Sequence, residues 1–153
     1  MSNKATMRLK NEFNSLMNDP ICNSTVLLEN EDNLFSWVVI MQGSENTPYD
    51  GGIFKLQFKF PNNYPFKAPD VKFLTTIYHP NIKLDTGEIC QDVFASTWAP
   101  TQKVQDILEK LVSMLKEPST ATPLEADICN EFINDRTKFE KNAREHTLKY
   151  ANN

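Results

Sequence analysis

The hydrophobic period changes along this chain, and that change constrains the fold more than any other feature. In IFKLQFKF (53–60), Phe54, Leu56, Phe58 and Phe60 alternate with polar or smaller residues, the pattern of a half-buried strand. After Pro100 the spacing becomes helical. Val104, Ile107, Leu108, Leu111, Val112 and Leu115 fall on one helix face as a continuous apolar stripe. Residues 5–18 also read as a helix, with Leu9, Phe13, Leu16 and Met17 at helical spacing and Asp19-Pro20 as the stop. Between the helical blocks, Thr25 to Phe60 reads as short antiparallel strands. LFSWVVIM (34–41) is rich in aromatic and β-branched residues, and turn signals lie at Asn30 to Asn33 and in TPYDGG (47–52).

VKFL (71–74) is a further short strand. Pro118 ends the helix that follows Pro100, PSTATP (118–123) is a loop, and the chain from Leu124 is helical with a break near Asn134-Asp135. The expected architecture is α+β: an N-terminal helix, a four-stranded antiparallel sheet, a long loop, then C-terminal helices. A chain of 153 residues buries roughly 70% of its unfolded surface, so one domain over residues 1–153 needs no staples.

Two stretches fit neither period. PNNYPFKAP (61–69) has three prolines in nine residues and is excluded as a central strand. From Tyr78 to Pro100 no period is sustained. Long loops without secondary structure are uncommon in compact domains and usually functional.

That loop contains Cys90, three residues after Gly87, among His79, Asn81, Asp85, Glu88, Gln91 and Asp92. The plain reading of any cysteine is a small buried hydrophobe, and Cys22 and Cys129 keep it. No CxxC pair occurs, so neither a zinc site nor a disulfide framework is expected, and no metal or cofactor is assigned. The net charge of −4 argues against a nucleic-acid partner. The N-terminal residues lack a signal-like apolar run and no stretch is long enough to span a membrane, so the expectation is a soluble intracellular protein with no membrane contact.

A cysteine hydrolase would need a histidine base within hydrogen-bond reach of the thiol. His146 falls at the end of an amphipathic helix, and His79 precedes Pro80 in a tight turn, where it shapes the backbone. A cysteine without a dedicated base suits thioester exchange. An ordinary thiol of pKa about 8.5 is a few per cent thiolate at neutral pH, and an incoming thioester already carries a good leaving group.

The residues then resemble a known family. YHPNI (78–82), TGEIC (86–90) and Trp98-Ala99-Pro100 are similar to the active-site signature of ubiquitin-conjugating enzymes. Arg8-Leu9 with Glu12, Asp19-Pro20, Trp37, TPYDGG, FPNNYPFKAP (60–69) and Pro118 through Pro123-Leu124 follow in the family's order, so the likeness runs from about residue 7 to 150. The resemblance implies the ubiquitin-conjugating fold. It implies an acyltransferase that receives ubiquitin from the activating enzyme as a thioester on Cys90 and passes it to a substrate lysine with a ubiquitin ligase of RING or HECT type. It implies a monomer in the cytoplasm and/or nucleus.

Asn81 then matches an asparagine that stabilises the oxyanion or shapes the loop, and both roles stay open. Asp92 matches an acidic residue that positions the attacking lysine. Phe66 and Lys67 in the proline-rich loop, with Trp98, Ala99 and Pro100, match the ligase-binding surface, although Phe66 could equally be core and Trp98 is the better packing residue. Arg8 and Lys10 match the docking site of the activating enzyme, expected on a different face from Phe66.

The chain also departs from the pattern. KLDT (83–86) makes the interval from Asn81 to Cys90 one residue longer than in many relatives, Gln91 replaces an apolar residue, and Thr122 stands where many lysine-modifying members have Asp. The first helix is less basic than usual. A non-catalytic ubiquitin-binding variant would lack Cys90. A small-modifier (SUMO) enzyme would have a longer interval between Cys90 and Trp98 and a basic charge.

Overall fold

The computed structural model describes residues 3–90 and 96–152. Helix α1 (Asn3–Asn18) is followed by strands β1 (Ser24–Asn30), β2 (Asn33–Gln42), β3 (Ile53–Lys59) and β4 (Asp70–Phe73). Helices α2 (Val104–Lys116), α3 (Ala126–Asn134) and α4 (Arg136–Tyr150) complete the chain. The strands pair as an antiparallel meander in the order β1-β2-β3-β4. This is the α+β layout that the two periods require.

Register follows the alternation. Trp37 pairs with Phe58, Val39 with Leu56, Met41 with Phe54, and Leu56 with Phe73, so every one of these side chains falls on the buried face. They share one core with the stripe of α2. In α2 the buried residues are Val104, Ile107, Leu108, Leu111, Met114 and Leu115. Val112 is only half-buried, and Met114 takes the inner position instead. In α1, Ala5, Leu9 and Leu16 are buried, while Met17 is 56% exposed and does not belong to the inner face. Phe13 meets Trp37 edge-on with ring centroids 5.1 Å apart.

One polar residue ties three segments together inside this apolar setting. Glu12 is buried on α1, and its Oε2 accepts from Arg8 Nε and Tyr64 OH, each at 2.7 Å. Its Oε1 accepts from Val104 N at 2.8 Å, satisfying a free amide at the first residue of α2. The proline-rich loop and the start of α2 are thus fixed on α1. The break between α3 and α4 falls at Asp135, whose Oδ1 accepts from Lys138 N.

Candidate active site

The stretch after Tyr78 is less irregular than its composition suggests. Ile82 pairs with Ile89, Cys90 N donates to Asn81 O at 2.9 Å, and Lys83 N donates to Glu88 O at 2.8 Å. Residues 81–90 therefore form a tight hairpin. It docks on β4 through Phe73 N, which donates to Gly87 O, and through the Lys72–Glu88 bridge. Gly87 has φ +77°, and a Cβ there would lie 1.9 Å from Phe73 O, so no other residue fits. Buried Ile82 and Ile89 anchor the hairpin in the core and bring Cys90 to its end.

His79 and Asn81 lock the entry to this hairpin. His79 is fully buried; its Nε2–H donates to Met114 O at 2.9 Å, and its Nδ1 accepts from Asn81 N at 3.0 Å. Both ring nitrogens are engaged, and burial lowers the imidazole pKa from 6.5 to about 4, so the ring is neutral and committed to backbone. The Asn81 side chain pairs with one residue of the 118–123 loop: Nδ2 donates to Ser119 O and Oδ1 accepts from Ser119 N, both at 2.9 Å. One Nδ2 hydrogen remains beyond that pair. Pro80 O accepts from Leu124 N and Glu125 N. These ties draw the 118–125 segment over the hairpin, and as a result Thr122 O and Oγ1 both lie 3.4 Å from Cys90 Sγ.

Asn81, Cys90, Ser119 and Thr122 line one open depression of about 410 Å³, together with Lys110, Ser113 and Met114 of α2, Glu117 at its C-cap, and Thr97. Cys90, 6% exposed, is part of its lining. The other two thiols have different settings. Cys129 is buried in α3, and burial pushes the Cys22 thiol above its ordinary range, with Glu109 adding to the effect. Asp92 lies outside the described residues. Ser119 and Met114 act mainly through their backbone groups, so no side-chain signal in the sequence could have marked them.

At one end of the molecule the proline-rich loop and residues 97–102 sit side by side. Phe66 is 70% exposed, on a turn closed by Phe66 N to Asn63 O. Trp98 is half-buried, and its Nε1 donates to Pro65 O at 2.7 Å. Lys67 and Pro100 are exposed, and Ala99 is half-buried with its amide donating to Gln102 Oε1. Arg8 donates to Pro100 O at 3.1 Å and Gln102 O at 2.5 Å, while Lys10 is exposed on α1. The Arg8 surface and the Phe66–Pro100 surface therefore adjoin and are not on different faces.

Similarity to known proteins decides the family. The family model for "Ubiquitin-conjugating enzyme" matches residues 8–147. The chain belongs to the ubiquitin-conjugating enzyme family. It is 42% identical over 149 residues to "Ubiquitin conjugating enzyme E2 B" of Dictyostelium discoideum, covering 96% of this chain and 98% of that one. It is 37% identical over 153 residues to "Probable ubiquitin-conjugating enzyme E2 31" of Arabidopsis thaliana, covering 100% and 97%. A crystal structure of a candidate ubiquitin conjugating enzyme from Plasmodium yoelii superposes with TM-score 0.92 at 32% identity, covering 100% and 99%. The enzyme is thus a transferase of the ubiquitin pathway with the fold of that family. Among the described residues no three His, Cys, Asp or Glu side chains cluster as metal ligands, and no helix is long and apolar enough to cross a membrane.

Proposed function

We propose that this enzyme carries ubiquitin as a thioester on Cys90 Sγ. Charging is an exchange: the Cys90 thiolate attacks the thioester carbonyl brought by the activating enzyme, the new C–S bond forms, and the donor sulfur leaves as thiolate. Discharge follows when a lysine nitrogen attacks that carbonyl and Cys90 leaves. One observation carries this reading: Cys90 lines an open depression, while Cys129 is buried in α3 and the half-buried Cys22 does not line it. The enzyme needs no cofactor for either step.

In this reading Asn81 holds the 118–125 segment above Cys90, with one amide hydrogen left for an oxyanion, and Thr122 accepts a hydrogen bond from the incoming amine. Asp92 is assigned to orient that amine. Phe66, Lys67, Trp98, Ala99 and Pro100 form the ligase-binding surface for RING or HECT partners, and an exposed aromatic on a braced turn is a suitable anchor. Arg8 and Lys10 receive the activating enzyme. The enzyme works as a monomer and a single catalytic domain, in the cytoplasm and/or nucleus, where thiols stay reduced. The acidic net charge and the short interval from Cys90 to Trp98 favour ubiquitin over a smaller modifier.

The test is loading by purified activating enzymes with ubiquitin or SUMO, resolved without reductant. Ubiquitin should load wild type, Cys22→Ser and Cys129→Ser. Cys90→Ala should not load, and Cys90→Ser should give a slowly discharged oxyester, because an alkoxide leaves less readily than a thiolate. An adduct on Cys90→Ala that maps to another cysteine would overturn the assignment.

A further inference from the structure

The depression at Cys90 carries charge that the family resemblance did not single out. Lys110, Ser113, Met114 and Glu117 line it, at spacings that put them on one face of α2. Lys110 and Glu117 stand two turns apart, about 10 Å along the axis, so the wall has a cation at one end and a carboxylate at the other. Lys110 Nζ is held by Thr97 Oγ1 at 3.1 Å. The Glu117 side chain is exposed and has no hydrogen-bond or ion-pair partner among the described residues. Glu117 is the C-cap of α2, where a negative charge opposes the helix dipole, so the helix gives no reason for its presence.

The other nearby carboxylates are engaged elsewhere. Glu125 Oε2 accepts from Leu84 N at 2.8 Å and lines a separate depression with Lys83 and Leu84. Glu131 accepts from Tyr78 OH and Asn142 Nδ2. Among the described residues Glu117 is the one carboxylate lining the Cys90 depression.

We propose that Glu117 receives the substrate amine at the thioester, supplying the carboxylate that the threonine at position 122 does not. This rests on the Cys90 thioester reading. The lysine ammonium enters at the carboxylate end of the depression and gives one proton to solvent. Its nitrogen then attacks the thioester carbonyl, the C–N bond forms and the C–S bond breaks. Sulfur leaves as thiolate and takes up the second proton that nitrogen releases. Glu117 holds the amine and offsets the positive charge that develops on nitrogen. Lys110 repels cations from the opposite end.

The test uses preformed thioester on the full chain, so that loading does not enter the rate, and compares discharge to free lysine with discharge to hydroxylamine, which is largely uncharged at neutral pH. Glu117→Gln should lower the ratio of the two rates roughly three- to five-fold, the scale of one solvent-exposed charge contact, chiefly through KM for lysine. Glu117→Asp should restore part of it, and Lys110→Gln should raise it. High salt should narrow the gap between wild type and Glu117→Gln. An unchanged ratio in Glu117→Gln overturns the proposal and leaves the thioester reading standing. Equal loss toward both nucleophiles with a lowered melting temperature makes Glu117 structural and also overturns it. Wild type that forms no thioester on Cys90 removes the underlying reading, and this proposal with it.

Discussion

Leu108 and His79 are both fully buried, yet they hold the molecule in different ways. Leu108 belongs to a periodic stripe, shares one core with inward-facing strand residues, and its side chain makes no directed bond. His79 belongs to no period and is fixed by two directed bonds to backbone, from Nε2–H to Met114 O and from Asn81 N to Nδ1. The region around Leu108 is a core held by area, and the region around His79 is an active-site crevice held by geometry. A displaced apolar side chain keeps much of its contact area, whereas a directed bond weakens steeply as its distance and angle depart from ideal. The crevice should therefore lose its shape under substitutions that leave the core folded.

The largest effect is expected in the core. Leu108→Ala should destabilise the fold by about 2–5 kcal/mol, transfer and cavity together, read from urea denaturation. Thioester discharge by the folded fraction should stay at the wild-type rate. A discharge defect without loss of stability would break the distinction between the two regions.

The crevice should instead make stability depend on pH. The folded His79 pKa is depressed to about 4 from 6.5, so the unfolded chain binds more protons between those values. Stability from this group is fully present above pH 6.5 and is lost as pH falls toward 4. A shift of this size corresponds to about 3 kcal/mol. Urea midpoints measured from pH 7 to pH 4.5 should fall accordingly, and the fall should be shallower in His79→Gln, which cannot titrate. Equal slopes would remove His79 as the cause.

A smaller and more local effect is expected at Phe66. Phe66→Ala should weaken ligase binding by roughly 1–3 kcal/mol in a titration, the range for a truncated interface anchor. The melting temperature should not change, because the ring is 70% exposed. Since Arg8 bonds to Pro100 O, charging rates of the variant measure whether the two partner surfaces overlap energetically as well as spatially.

What was legible in the sequence divides along the same line. The strands, the stripe of α2 and the break at Asp135 are visible because burial imposes a period of two or 3.6 on residue type. Met17 misled because it extends the α1 pattern while facing solvent. The hairpin at 81–90 was hidden: its pairing rests on backbone amides, Ile82 and Ile89 are its only apolar pair, and Lys83, Asp85 and Thr86 read as loop. The family motif located Cys90 and Asn81. It could not reveal that Asn81 pairs with both backbone groups of Ser119, since a bond to main chain leaves no mark on the partner's side chain. Nor could it show that Glu117 lines the same depression as Cys90, which needs the placement of α2.

The most direct test of this account is amide hydrogen exchange in Asn81→Ala, paired with single-turnover discharge of its Cys90 thioester. If Asn81 holds the roof of the crevice, Ser119, Leu124 and Glu125 amides should lose protection while those of β2 and β3 keep theirs, and discharge to lysine should slow. Protection of residues 118–125 at the wild-type level, with discharge slowed by about 3 kcal/mol of barrier as for a lost oxyanion donor, would contradict it.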